Sequence, residues 1–230
     1  MKGGRLAPDN ELSNVSRVRR GRFISFEGGE GAGKSTQARR LVDRLRALGL
    51  ETVATREPGG SPGGEAIREL LVNGPPERWS AITETLLMYA ARRDHLERVI
   101  VPALERGAWV VCDRFFDSTR AYQGAGGGAP AELIAALEAS VVGEVKPDLT
   151  LILDMPVAAG LARAAGRGKG EARFEAKGID FHERLRAAFL EIARREPERC
   201  LVLAADAEVD ALAAKIWTAV DARLGTPFDA

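Results

Sequence analysis

Phe23-Ile24-Ser25-Phe26-Glu27-Gly28-Gly29-Glu30-Gly31-Ala32-Gly33-Lys34-Ser35 is the stretch around which the rest of the chain is organised. Phe23 to Phe26 is an apolar run of strand length. Beyond the glycines, Ala38, Leu41, Val42, Leu45 and Leu48 recur at helical spacing until Gly49 supplies a stop. Between strand and helix, Gly28 to Ser35 fits G-x-x-x-x-G-K-[ST] in the context which that motif requires. The glycines let the backbone curl until its N–H groups face a phosphate, and the helix N-terminus adds positive potential. Lys34 is then placed to reach the β- and γ-phosphates of a nucleoside triphosphate, and the Ser35 hydroxyl to ligate Mg2+. A glycine-rich turn with an incidental lysine is the alternative, and both context and spacing weigh against it.

The same alternation continues outward. Further strand candidates are Thr52-Val53-Ala54, Trp109 to Cys112, Leu149 to Leu153 and Leu201-Val202-Leu203. Helical periodicity fills Ile67 to Val72, Ala81 to Arg106, Ala131 to Val142, Val157 to Ala165, Phe181 to Arg194 and Val209 to Leu224. The expected fold class is α/β, a five-stranded parallel sheet flanked by helices. The glycine runs Gly59 to Gly64 and Gly124 to Gly128 read as loops within this pattern.

Composition narrows the function classes. The 230 residues suit one large domain; 33 basic against 33 acidic residues disfavour a uniformly cationic nucleic-acid binder. Cys112 and Cys200 are too few for a disulfide framework or a usual zinc site, and read as buried thiols. Apolar runs are of strand length, and the N-terminus lacks an apolar signal core, so a soluble cytoplasmic protein without membrane contact is expected. Within the first twenty-two residues, Lys2, Arg5, Arg17, Arg19, Arg20 and Arg22 outnumber Asp9 and Glu11. Residues 1–21 are expected to be a flexible basic tail, or an arm for an anionic partner, ahead of a domain over 22–226.

Arg68, Arg92, Arg114, Arg163, Arg167 and Arg173 fall at strand ends, on helices and in a glycine-containing segment. One arginine usually marks only a solvated face. Beside a phosphate-binding loop, several would offset the repulsion between two phosphate groups during transfer. An arginine-bearing lid at about 166–178 would also exclude water. Asn10, Asn14 and Asn73 are not followed by lysine, so the guanine-reading Asn-Lys-x-Asp element of a switch GTPase is absent.

From about Arg22 to Gly225 the chain resembles the thymidylate (dTMP) kinase family. The resemblance rests on the order of Phe26 to Thr36, Thr55-Arg56-Glu57-Pro58-Gly59-Gly60, Tyr89-Ala90-Ala91-Arg92, Asp113-Arg114-Phe115, Ala121-Tyr122-Gln123-Gly124 and Pro147-Asp148-Leu149-Thr150. It implies a P-loop nucleoside monophosphate kinase-like three-layer fold with a short lid. It also implies Mg2+-dependent transfer from ATP to dTMP in the dTTP biosynthesis pathway, and a homodimer. Gly28, Gly29, Glu30, Gly31, Ala32, Gly33, Lys34, Ser35, Thr36 and Arg173 are the implied ATP-binding residues. Ser35 and, through water, Asp113 are implied at the metal. Arg68 and Arg114 match the arginines that hold the acceptor phosphate, and Glu30 the acid that accepts the sugar hydroxyl. Arg92 matches the arginine that bonds thymine; Thr119 and Gln123 read the other edge, with Glu57, Met88 and Tyr122 completing the acceptor set. Lys34, Arg114, Arg163 and Arg167 are the implied catalytic residues. Gly31 stands where one branch of the family carries a loop arginine, and the lid would supply that charge here. Met88 replaces the usual stacking phenylalanine; a thioether can still cover an aromatic face.

Further expectations concern single residues. Glu57-Pro58 is expected to be trans, because only about 5–6% of X–Pro bonds in folded proteins are cis. His95 and His182 read as surface or packing residues, and Arg120 as solvent-exposed or touching the acceptor phosphate. No catalytic base is needed, since the acceptor phosphate, with a second pKa of about 6, is mostly a dianion at neutral pH. A kinase for another monophosphate or a deoxynucleoside, and a nucleotide-binding regulator acting through the tail, are the rival readings.

Overall fold

A computed structural model describes residues 20–75, 77–166, 172–175 and 177–225; most of the expected basic tail and Arg167 lie outside the described residues. Strands β1 (Phe23–Glu27), β2 (Thr52–Arg56), β3 (Trp109–Asp113), β4 (Leu149–Asp154) and β5 (Cys200–Ala204) form one parallel sheet in the order β2-β3-β1-β4-β5. All five expected strands are present, each one or two residues longer than its apolar run. The added residues include Glu27, Arg56, Asp113 and Asp154, at the carboxyl ends of their strands. The order reverses about β1, and the crevice at such a reversal is where open α/β sheets hold ligands.

The helices are α1 (Lys34–Ala47), α2 (Pro62–Val72), α3 (Ala81–His95), α4 (Val101–Glu105), α5 (Phe116–Thr119), α6 (Ala131–Val141), α7 (Val157–Ala165), α8 (Ala172–Glu175), α9 (Ile179–Arg195) and α10 (Val209–Leu224). Single π turns, Leu96–Ile100 and Arg120–Gly126, continue α3 and α5. Three of these differ from the expected pattern. Gly63 and Gly64 belong to α2, because Ser61 caps Gly64 N at 3.2 Å and Pro62 opens the helix, outweighing glycine's poor propensity. The 81–106 helix is divided by its π turn. The expected loop at Gly124 begins inside the second π turn, where Gly126 lets α9 approach: a Cβ there would lie 2.6 Å from the Phe181 ring.

Strand alternation divides the core. Ile24 and Phe26 of β1 point to α1 and α10, joining Leu41, Leu45, Leu212, Ile216 and Val220. Phe23 points the other way, to Tyr89, Ile100, Leu104, Phe115 and Phe116. A third cluster joins Ile152 to Tyr122, Phe174, Phe181, Leu185 and Phe189. Ser25 and Glu27 share the parity of Phe23, so two polar side chains enter the interior on that side. Ser25 bonds Thr150 at 2.8 Å.

A buried charge network lies nearby. Arg199 makes two bonds to the fully buried Asp117, at 2.7 and 2.8 Å. Arg120 joins Asp117, Glu138 and Glu196, and both arginines stack over Phe116. Arg120 is therefore neither solvent-exposed nor directed at an acceptor phosphate, because three carboxylates hold it. Burial lowers its pKa, but those carboxylates overcome this and raise it above the ordinary arginine value. Glu57-Pro58 is cis, not trans. Tertiary contacts surround that bond: Arg92 and His95 hold the Glu57 carboxylate, and Arg68 Nη1 donates to Pro58 O at 2.8 Å. Cys112 and Cys200 are buried, and burial pushes Cys200 up to about 12. Among the described residues no helix is long and apolar enough to cross a membrane.

Candidate active site

The loop after β1 curls as its glycines permit. Gly33, at φ 89°, caps α1, and Lys34 turns its ammonium inward to donate to Gly29 O at 2.7 Å. Burial, and then Arg114, lower the Lys34 pKa. Gly31 is needed for space as well as for its φ of +70°. A Cβ there would lie 1.9 Å from Gly160 O on α7, and one on Gly160 would lie 2.4 Å from Glu30 O. A side chain at Gly31, including the arginine of the other family branch, has no room here. Ser35 Oγ donates to Asp113 at the end of β3. Those two residues present only oxygen donors, the chemistry that suits Mg2+.

Arg114 follows Asp113 with φ 69°, the positive-φ non-glycine among the described residues. Such a conformation costs on the order of 1–3 kcal/mol and persists only where surrounding contacts impose it. Here Arg114 N donates to Phe26 O at 2.9 Å, while its guanidinium reaches Gly28 O and Glu30, the latter at 2.9 Å. Glu27 fixes the turn from below, accepting from Phe115 N at 2.7 Å and Ser118 Oγ at 2.6 Å. Burial, and then Asp117, push the Glu27 carboxyl up to about 8. Glu30 moves the opposite way: burial would raise it, but Arg114, Lys34 and the Tyr122 hydroxyl bring it down to about 2. Tyr122 donates to Glu30 at 2.6 Å and lies beneath the Arg114 guanidinium.

Beside this loop is a pocket lined by Glu57, Pro58, Met88, Arg92, Arg114, Phe115, Ser118, Thr119, Tyr122, Gln123 and Phe174. Seven of the expected acceptor residues thus come together: Glu57, Met88, Arg92, Arg114, Thr119, Tyr122 and Gln123. Glu30 joins them through Tyr122 and Arg114, and Arg68 through the Pro58 carbonyl. Arg92 is among the largest fully buried side chains of the described residues. Its Nε donates to Glu57 at 2.8 Å and Nη2 to Thr119 at 3.1 Å, while Nη1 has no hydrogen-bond partner. Removing one member of such a buried pair costs about 3–5 kcal/mol. Met88 both lines the pocket and packs against the third core cluster.

Other expected residues lie elsewhere. Arg163 Nη1 donates to Ala205 O at 3.1 Å, away from the acceptor pocket. Arg173 is not at the phosphate loop; it is buried against Glu84, Leu71 O and Pro75 O. Nearness along the chain grouped it with Arg163 and Arg167, whereas a buried carboxylate and the end of α2 decide where it docks. His95 is fully buried, not at the surface: Nδ1–H donates to Glu57 at 2.9 Å and Nε2 meets Thr55 Oγ1 at 2.6 Å. His182 is also buried, packed edge-on to Phe181. Glu27, Ser118, Glu84 and Phe174 were not foreseen. For Glu27 the signal was available, since a carboxylate at the inward parity of a core strand must find partners.

The family model described as thymidylate kinase matches residues 26–216. A thymidylate kinase of Caulobacter vibrioides is 71% identical over 205 residues, covering 89% of this chain and 98% of its relative. One from Nitrobacter winogradskyi is 55% identical, covering 89% and 90%. The crystal structure of thymidylate kinase from Ehrlichia chaffeensis superposes with a TM-score of 0.72 at 33% identity, covering 87% of this chain and 99% of that one. A family model that matches most of the chain, and relatives this similar over nearly their whole length, show that the chain belongs to the thymidylate kinase family.

Proposed function

We propose that this chain transfers the γ-phosphoryl group of ATP to dTMP, giving dTDP and ADP, with the Arg92 pocket holding the acceptor. The observation that carries this reading is the unpartnered Nη1 of Arg92, buried in the pocket that Arg114 and Gln123 also line. A buried donor without a partner costs about 1–3 kcal/mol, which a base carbonyl in the pocket would recover. Arg92 and Gln123 then select the base. Arg68 and Arg114 hold the acceptor phosphate, and Glu30 accepts from the sugar hydroxyl.

On the donor side, loop N–H groups and Lys34 bind the triphosphate, and Gly31 and Gly160 hold the loop close to α7. Mg2+ fits the Ser35 hydroxyl and, through water, Asp113; bound there, it would neutralise charge on the transferring oxygens. The acceptor dianion attacks directly, so positioning and charge neutralisation do the work. Arg167, with Arg163, is read as the charge that neutralises the transferred group. The protein is read as a homodimer, supported by the exposed apolar Leu70 on α2 and Ile82 and Leu86 on α3.

Steady-state ADP release by Arg92→Met tests the acceptor reading. A rise in the KM for dTMP of about tenfold or more, with the KM for ATP unchanged, supports it. An unaltered dTMP KM refutes it. Arg167→Ala should lower kcat rather than only raise KM; unchanged turnover removes Arg167 from the reaction.

A further inference from the structure

Gln123 stands in the acceptor pocket with one end of its amide already committed. Nε2 donates to Glu84 Oε1 at 2.8 Å, and Arg173 Nη1 meets Glu84 Oε2 at 2.5 Å. A carboxylate held by an arginine offers only acceptor oxygens, so the amide must turn its NH2 to Glu84 and leave Oε1 for the pocket. The Arg173 side chain is only 1% exposed, and it also donates to Leu71 O at 3.1 Å and to Pro75 O at 3.2 Å. It therefore seats α8 across the end of α2 and on α3. The next residue, Phe174, is buried, lines the pocket and packs edge-on to Tyr122 with ring centroids 5.7 Å apart.

We propose that Glu84 and Arg173 are positioning residues for base selection: the pair fixes the Gln123 amide with Oε1 facing the acceptor base and holds Phe174 at the pocket wall. This rests on the acceptor reading of the pocket. A thymine joined to its sugar through N1 keeps one ring N–H, at N3, flanked by two carbonyls. A fixed Oε1 accepts from that N–H. Cytosine presents a bare lone pair at the same position, and two acceptors then face each other. A glutamine amide free to rotate would serve either base, so discrimination resides in the residue that stops the rotation. Arg173 holds the Glu84 carboxylate in place, and so ties the seating of α8 to the reading of the base.

The experiment compares Glu84→Gln, Arg173→Met, the double variant and Gln123→Ala by kcat and KM for dTMP, dCMP and ATP, with thermal melts alongside. Gln at 84 has the shape of Glu but can donate as well as accept, which releases the Gln123 amide. In Glu84→Gln the dTMP KM should rise about tenfold, and the dTMP-to-dCMP ratio of kcat/KM should fall about tenfold. The ATP KM should stay within about twofold of wild type. Arg173→Met should move the same quantities in the same direction, and the double variant should be no worse than Glu84→Gln alone, because one interaction is removed twice. Wild-type dTMP KM and base preference in Glu84→Gln, or an ATP KM rising in parallel, overturns the proposal. If Glu84→Gln does not fold, Arg173→Met decides by the same criteria. Gln123→Ala separates the two levels: an unchanged dTMP KM there defeats the acceptor reading itself, whereas a raised KM there with none in Glu84→Gln defeats only the positioning role.

Discussion

Four glycines at the phosphate loop face different constraints, which makes a graded experiment. At Gly31 an added Cβ would sit 1.9 Å from Gly160 O, with φ at +70°. The colliding atom is backbone and cannot rotate away, so loop and α7 must part by about 1.5 Å to reach ordinary contact. A left-handed L-residue costs about 1–2 kcal/mol, and overpacking of a rigid contact about 1–3 kcal/mol more. Together these give about 2–5 kcal/mol for Gly31→Ala. In a domain of this size each kcal/mol lowers Tm by about 2–4 °C, so the fall should be about 4–20 °C. Gly33 has φ +89° but nothing within 4 Å of its Cβ, so Gly33→Ala should show the conformational part alone, about 2–8 °C. Gly29 has neither constraint and should melt with the wild type. Gly160→Ala, meeting Glu30 O at 2.4 Å, should show the packing part without the conformational one. Calorimetric melts without nucleotide read all four. If Gly31→Ala melts like Gly29→Ala, or above Gly33→Ala, the argument that α7 closes on this loop is wrong.

Three further predictions concern charge. Glu27 is raised to about 8 in the folded chain, so between its ordinary 4.5 and 8 the native state binds more protons than the unfolded one, and this group lowers stability as pH rises. Glu27→Gln should flatten that slope in urea titrations from pH 5 to 9; an unchanged slope removes Glu27 as its source. Glu30, depressed to about 2, contributes stability that is present above 4.5 and lost as pH falls towards 2. Glu30→Gln should lose roughly 3 kcal/mol at pH 7 but little at pH 2, and equal losses at both would contradict the ion-pair assignment. Arg92→Met leaves the Glu57 carboxylate buried with His95 alone and should cost about 3–5 kcal/mol by denaturant melt. A cost below 1 kcal/mol would show that Glu57 finds another partner.

The sheet was legible because each strand contains a short apolar run, buried in β1, β3 and β4 and half-exposed in the edge strands β2 and β5, and the glycine motif located the crevice before any contact was known. Strand ends were less so: Arg56, Asp113 and Asp154 are polar and belong to the ladder only because their backbones continue it. The second π turn was read partly as loop because Gly126 makes room for α9 and Gly124 for Ile134 of α6, tertiary demands invisible in a local window. The acceptor set came from motif order, since nothing in periodicity says that Arg92 on α3 meets Glu57 after β2. Arg173 shows the limit of grouping by proximity in sequence: a buried carboxylate, Glu84, far earlier in the chain decides its place. Glu57-Pro58 is a case of the same kind, where a general preference says nothing about one turn held from both sides.

The central claim is phosphoryl transfer to dTMP in the Arg92 pocket. Coupled ADP release with Mg-ATP and dTMP, dUMP, dCMP, dGMP, AMP or thymidine as acceptor tests it most directly. The account predicts turnover with dTMP well above every other acceptor in the wild type. Preference for a different monophosphate, or ATP bound tightly with no acceptor phosphorylated, would contradict it.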